Sequence, residues 1–256
     1  MKIIIKENYQ QMSVGAALFV KKRILKEPDI VLGLATGETP LGLYKELIKM
    51  YRKGDLDFSR ITTFNLDEYL SLKPSHTRSY HFYMQQNFFK HINIKKENIF
   101  ILDGIVKDIR AHCEWYENKI KEKGGIDLQI LGIGRNGHIG FNEPGTDFNS
   151  ITRVVFLEKA TIKDNARFFK TIEEVPKKAL TMGIKTILDS KECLLLASGI
   201  KKREIVSKFL KGTVSSKVPA SALKNHKSVT IILDKEAAGD LTEINVGCIF
   251  KKHVPL

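Results

Sequence analysis

The sequence predicts an α/β protein centred on an open, mostly parallel sheet with helices on both faces. Three observations carry this expectation. Short β-branched runs alternate with amphipathic segments from one end of the chain to the other, the pattern of successive β-α units. Two of the runs, IVLGL from Ile30 and LQILGIG from Leu128, are apolar at nearly every position, as a strand covered on both faces requires. No internal repeat, low-complexity tract or Pro/Gly/Ser-rich linker divides the 256 residues, so one domain over 1–256 is the simpler expectation.

The elements follow in order. Lys2–Ile5 is the first strand, ending where charge returns in KENYQQ, and Tyr9–Lys26 the first helix. Ile30–Leu34 leads into a helix over Pro40–Lys53, with Thr39 suited to the N-cap and Pro40 to the first helical position, where its missing amide hydrogen costs nothing. Strands at Ile61–Asn65, Ile99–Leu102, Asp127–Ile133, Glu192–Ala197 and Val229–Leu233 alternate with helices at Thr77–His91, Asp108–Lys123 and Lys201–Lys211. In a Rossmann-like sheet of this kind ligands bind beyond the carboxyl ends of the strands, where the strand order reverses, so chemistry is sought in the strand-to-helix loops.

Composition narrows the function. With 43% hydrophobic and 28% charged residues, the chain is too apolar for disorder. Its 42 Lys plus Arg against 29 Asp plus Glu give a net charge of +13. These charges are scattered; clusters such as Lys201-Lys202-Arg203 sit within amphipathic helical patterns and no aromatics interleave with them. A solvated surface and an anionic small ligand are therefore expected over nucleic acid. No apolar run approaches the roughly 18 residues of a membrane span, and the start breaks into charge after three isoleucines, so a cytoplasmic, unprocessed protein with no membrane partner is expected. Cys113, Cys193 and Cys248 show no CxxC or Cys/His spacing, which argues against disulfides and structural zinc.

Three loops carry candidate chemistry. The first, Gly33-Leu34-Ala35-Thr36-Gly37-Glu38-Thr39-Pro40, feeds a helix N-terminus whose amides and dipole favour a phosphate, although a plain βα turn explains it better if it stands alone. The second ends a strand in Asp67-Glu68. If Asp67 faces the crevice as a general base, Glu68 faces away, since neighbours in an extended segment point to opposite sides. An Asp-Glu pair at a strand end is by itself more often a cap or a solvated turn. The polar segment Ser75–Tyr80 is placed to fold over the same crevice. In the third loop, residues 132–137 match GxGxxG after a strand, yet Gly140, Pro144 and Gly145 break the helix that a dinucleotide site needs. What remains is a glycine-rich loop presenting Asn136, His138 and Glu143, groups able to move or orient protons.

Taken together, LGLATGETPLGLYKEL, TTFNLDEYLSL, HTRSYHFYMQQNFF, GIGRNGHIGFNEPGTDF, DNARFF, VPKKALTMGI and SGIKKREI resemble the glucosamine-6-phosphate deaminase (isomerase) family along nearly the whole chain. The resemblance implies that glucosamine 6-phosphate and water give fructose 6-phosphate and ammonia, with no metal or organic cofactor. It implies that His138 opens the pyranose ring, that Glu143 holds the imidazole with Asn136 completing the relay, and that Asp67 takes the C2 proton and returns one to C1 through an enolamine. Relatives often carry Asp where this chain has Asn136. Thr36, Gly37, Glu38 and Thr39, with Arg167 and Lys202, are implied to bind the phosphate. Arg167 is equally open to capping a helix, and Lys202, next to Lys201, to being one of many surface lysines.

Some members are hexamers activated by N-acetylglucosamine 6-phosphate through Arg, Lys and Thr beyond the NEP loop. Arg153 matches, but Val155 and Phe156 stand where Lys and Thr fall, and the tail KKHVPL is short, so little or no activation is expected. Three alternatives remain at this stage: a 6-phosphogluconolactonase, which shares the architecture but needs no C2 base; a non-catalytic sugar-phosphate sensor; and a basic nucleic-acid module. The NEP segment and Asp67 favour the deaminase.

Overall fold

In the computed structural model, residues 1–243 are described. Ten strands form: β1 Lys2–Lys6, β2 Val31–Leu34, β3 Thr62–Asn65, β4 Asp67–Tyr69, β5 Ile99–Phe100, β6 Leu128–Gly132, β7 Arg153–Phe156, β8 Lys178–Thr181, β9 Glu192–Ala197 and β10 Val229–Asp234. Seven of them make one sheet in the order β1-β10-β9-β6-β2-β3-β5, and every pairing in it is parallel. The helices are α1 Tyr9–Lys26, α2 Glu38–Arg52, α3 Tyr80–Asn87, α4 Ile109–Glu122, α5 Lys159–Asn165, α6 Ile184–Leu188, α7 Arg203–Lys211 and α8 Lys235–Ala238, joined by short 3₁₀ turns.

Both faces of the large sheet are covered, as the unbroken apolar strands require. On one side Met12, Ala16 and Val20 of α1, Leu43, Tyr44 and Leu47 of α2 and Met84 of α3 pack against Leu32, Leu34, Ile130, Leu194 and Ile232. On the other, Tyr116 of α4, Ile184 of α6 and Val206 and Phe209 of α7 pack against Phe64, Leu131, Leu195 and Ile231. Each such fully buried side chain contributes about 1.5–3 kcal/mol relative to exposure, which offsets the backbone ordering cost of short strands.

The chain runs outward from β2 through β3 to β5, then returns to β6 on the other flank of β2 and continues to β9 and β10. The order therefore reverses between β2 and β6, and the loops leaving these neighbours, the phosphate-loop candidate and the His138 loop, open side by side.

The structure departs from the sequence reading in several places. A second, antiparallel sheet, β4-β8-β7, was not expected; it pairs Asp67 with Thr181 and Thr181 with Arg153. The expected strand Ile99–Leu102 pairs only at Ile99–Phe100, at the edge, and the expected helix Thr77–His91 is reduced to Tyr80–Asn87, capped by Ser79 accepting from the Phe82 amide, with a 3₁₀ turn beyond. The helix expected to open at Pro40 starts at Glu38 with Gly37 as its cap, so Thr39 is not the N-cap. Cys113 and Cys193 are free and buried, while Cys248 and the tail lie outside the described residues. No helix among the described residues is long and apolar enough to cross a membrane.

Candidate active site

The β2–α2 loop holds its shape through glycine and two tyrosines. Gly37 sits at φ 97°, a left-handed conformation that a side chain would strain, and it offers no capping side chain. The first turn of α2 therefore enters the wall of a cavity with its amides unmasked by any cap, the arrangement that receives anions. Tyr44 donates to the Ala35 carbonyl at 2.6 Å and Tyr83 to the Gly37 carbonyl at 2.5 Å, clamping the loop from below and from α3.

Asp67 opens β4, separated from the end of β3 by Leu66 alone. Burial, reinforced by the nearby Glu68 charge, pushes its carboxyl up to about 8, and no basic group lowers it. Glu68 turns to the opposite side, as expected. It is fully buried and accepts from the amides of Tyr69 (2.8 Å), Tyr80 (2.9 Å) and His81 (3.0 Å), with the His81 Nδ1 at 3.0 Å. The Tyr80 and His81 amides belong to the first turn of α3, so Glu68 ties that helix to the strand bearing Asp67 and brings Tyr80 to the cavity.

The glycine-rich loop leaves β6 without forming a helix; the next helix begins only at Lys159, which removes the dinucleotide reading. The His138 ring lies over Gly134, where any Cβ would strike the imidazole. Its Nδ1 is 3.3 Å from Glu143 Oε2, within ion-pair reach, but the angle makes no hydrogen bond and Nδ1 is buried without another partner. The contact is therefore one of proximity, and it becomes an ion pair when the imidazole is protonated. Asn136 Nδ2 donates to the same Oε2 at 2.7 Å and Thr161 Oγ1 to Oε1 at 2.5 Å. Burial alone would raise the Glu143 carboxyl; the His138 contact, Thr161 and Asn136 together outweigh it and hold it below its usual value.

Two of the cations in the cavity wall, Lys202 and Arg167, are those expected from the sequence. Lys202, at the end of a 3₁₀ turn after β9, is half-buried, and its Nζ donates to the Ile133 carbonyl at 2.7 Å, whereas Lys201 is exposed. Desolvation pushes the Lys202 ammonium below its usual range. Arg167, in a 3₁₀ turn following α5, reaches across to Glu38 at 2.8 Å. The ion pair sets the Glu38 carboxylate against Arg167 within the cavity wall.

One cavity of about 1210 Å³ gathers Thr36, Gly37, Glu38, Thr39, Asp67, His138, Arg167 and Lys202 in its wall. Asn136 and Glu143 are not in the wall; Glu143 stands behind the imidazole. Gly140, at φ 56°, lets this loop pass close to Thr181, whose Oγ1 a Cβ there would meet at 2.9 Å, with Asp67 Oδ2 beside it. The polar segment foreseen over the crevice also arrives, with Arg78, Ser79 and Tyr80 in the wall. Among the described residues no cluster of His, Cys, Asp and Glu fits a metal ion.

Over residues 7–232 the sequence matches the family described as glucosamine-6-phosphate isomerases/6-phosphogluconolactonase. The chain belongs to that family. Within the glucosamine-6-phosphate isomerase/6-phosphogluconolactonase family it is 56% identical to a glucosamine-6-phosphate deaminase of Thermoanaerobacter sp. (strain X514), covering 96% of this chain and 99% of that one. It is 53% identical to the deaminase of Halothermothrix orenii, over 93% and 99%. A solved structure described as a monomeric glucosamine-6-phosphate deaminase superposes with a TM-score of 0.91 at 51% identity, covering 93% of this chain and 99% of that one. A 6-phosphogluconolactonase from Trypanosoma cruzi, at 22% identity and a TM-score of 0.76, shares the fold.

The sequence reading missed Tyr44, Tyr83 and Thr161. The tyrosines sit within helices, where nothing in the sequence separates a core ring from one whose hydroxyl holds a loop, and Thr161 lies 18 residues from its partner Glu143. At the positions compared with the activated family members, Val155 and the 71%-exposed Phe156 present no polar group, while Arg153 is engaged with Asn142 at 2.9 Å.

Proposed function

We propose that this chain converts glucosamine 6-phosphate and water to fructose 6-phosphate and ammonia. The observation that carries the reading is the convergence, on one cavity, of an uncapped helix N-terminus with Lys202 and Arg167, an isolated buried carboxylate, and an imidazole backed by a second carboxylate. The relatives' activity is the same conversion by name.

The phosphate is held by the first-turn amides of α2, by Lys202 and by Arg167, which leaves Glu38 for it. His138 moves a proton between the anomeric hydroxyl and the ring oxygen, and Glu143 balances the charge that the imidazole gains. Asp67 then takes the C2 proton. The resulting enolamine is protonated at C1, leaving an imine at C2 that water hydrolyses to the ketone and ammonia. A carboxyl raised to about 8 is a stronger base than an ordinary Asp once ionised, and the C2 ammonium of an amino sugar supplies the missing cation that favours that ionised form. A lactone carries no such cation, so the Asp67 environment favours the amino sugar over the lactonase reading.

Incubation with glucosamine 6-phosphate should release ammonia and fructose 6-phosphate in equal amounts; turnover of 6-phosphogluconolactone alone would overturn the proposal. Lys202→Met should raise KM for glucosamine 6-phosphate by about ten- to a hundred-fold, the loss of one charge-assisted contact, while leaving kcat/KM for unphosphorylated glucosamine unchanged. Equal losses on both sugars would remove the phosphate role.

A further inference from the structure

The roles above leave one strong contact to Glu143 without a purpose. Thr161 is the one buried residue of α5, a helix whose following residues Lys163, Asp164, Asn165 and Arg167 line the cavity. Its hydroxyl gives its only hydrogen to Glu143 Oε1 at 2.5 Å, a short charge-assisted bond. We propose, on the basis of the deaminase reading, that Thr161 is a positioning residue: carried on the helix that covers the cavity, its hydroxyl aims the Glu143 carboxylate at the His138 ring.

The argument is one of torsion. The terminal χ3 of a glutamate is broad and nearly two-fold, so the carboxylate plane has no intrinsic orientation and takes whatever its donors impose. Here the donors are divided: Thr161 holds Oε1, and Asn136 holds Oε2 at 2.7 Å. With both oxygens held, Oε2 stands 3.3 Å from His138 Nδ1 and keeps one acceptor site that Asn136 does not use. Asn136 alone fixes one oxygen and allows the plane to turn about it. The ionisable groups around this carboxylate are His138 and, through Asn136 at 3.4 Å, Glu158; Arg135 and Asp164 are engaged with each other at 3.1 Å. Of the other polar ties of the covering segment, Asp164 to Arg135 and Arg167 to Glu38 are exposed pairs of little strength and Asn136 to Glu158 is long at 3.4 Å, while Ile162 and Phe169 add apolar packing that carries no orientation for Glu143. The buried Thr161–Glu143 bond is thus the tie that joins seating of α5 to completion of the relay.

Thr161→Val, which keeps the shape and removes the donor, should lower kcat by about ten- to a hundred-fold with KM changed less than about three-fold. Losing a donor to the ionised carboxylate raises the pH at which it protonates, so the acid limb of the kcat profile should move upward. Thr161→Ser should restore both within about three-fold. A kcat for Thr161→Val within two-fold of wild type, equal losses in Val and Ser, or a lowered kcat with an unmoved acid limb would each overturn the role. The ¹³C titration of the Glu143 carboxyl in Thr161→Ala reads the same contact without turnover: a raised midpoint is expected, and an unchanged one overturns the inference. Wild-type protein that releases no ammonia from glucosamine 6-phosphate would instead overturn the functional reading, which separates the two failures.

Discussion

Asp67→Asn is expected to lower kcat by about 10²- to 10⁴-fold, the contribution of a positioned general base, and to abolish incorporation of solvent deuterium into the product. The amide keeps the shape of the side chain but can neither take the C2 proton nor return one to C1. In the wild type, kcat/KM should rise with pH towards about 8 as the Asp67 of the free protein ionises. The same substitution tests the electrostatics through stability. The folded-state carboxyl is raised from 3.8 to about 8, so between those values the unfolded chain has released its proton while the native state retains it. Native stability therefore falls with rising pH across that window, and the cost is complete above about 8. Asp67→Asn removes it, so at pH 8.5 the inactive variant should melt higher than wild type, by a free energy of a few kcal/mol, and at pH 4 the two should melt alike. An active variant, or a wild type whose melting point is flat over this window, would show that the carboxylate is neither the base nor desolvated.

His138→Ala should slow turnover by about 10²-fold or more, and the character of what remains is more informative than its size. Without a group to shuttle the proton between the anomeric hydroxyl and the ring oxygen, the protein must wait for substrate that opens in solution. At high protein concentration the rate for the variant should level off at the uncatalysed rate of ring opening, whereas the wild-type rate stays proportional to protein. Proportionality in His138→Ala would remove the ring-opening role, because the ring would then be opening elsewhere in the cavity.

The parallel sheet was legible because burial on both faces leaves a trace in every residue of IVLGL and LQILGIG. The small antiparallel sheet left no such trace. Asp67–Tyr69 is a three-residue strand bearing two carboxylates, and Arg153–Phe156 alternates half-buried with exposed positions, so their pairing rests on contacts distant in sequence. Thr39 met every local rule for an N-cap and lost to Gly37, whose left-handed φ brings the chain into α2 a turn-position earlier. At the site, the loops announced themselves through glycine and charged residues at strand ends, and Glu68 turned away from the cavity as the alternation of an extended chain requires. The supporting shell was silent. A tyrosine that clamps a loop and a threonine that steadies a carboxylate are single hydroxyls on otherwise ordinary helices, and only folding shows which atom each one meets.

The loop proposed to take the phosphate and the segment that bears Asp67 leave β2 and β3, adjacent strands in a fixed parallel register with Leu34 opposite Asn65. Their separation is thus set by main-chain geometry, roughly 4.8 Å from strand to strand, and not by the reach of flexible side chains. The sheet sets the distance between the points where the two loops start, so their relative placement is inherited from the framework whatever side chains decorate the surface.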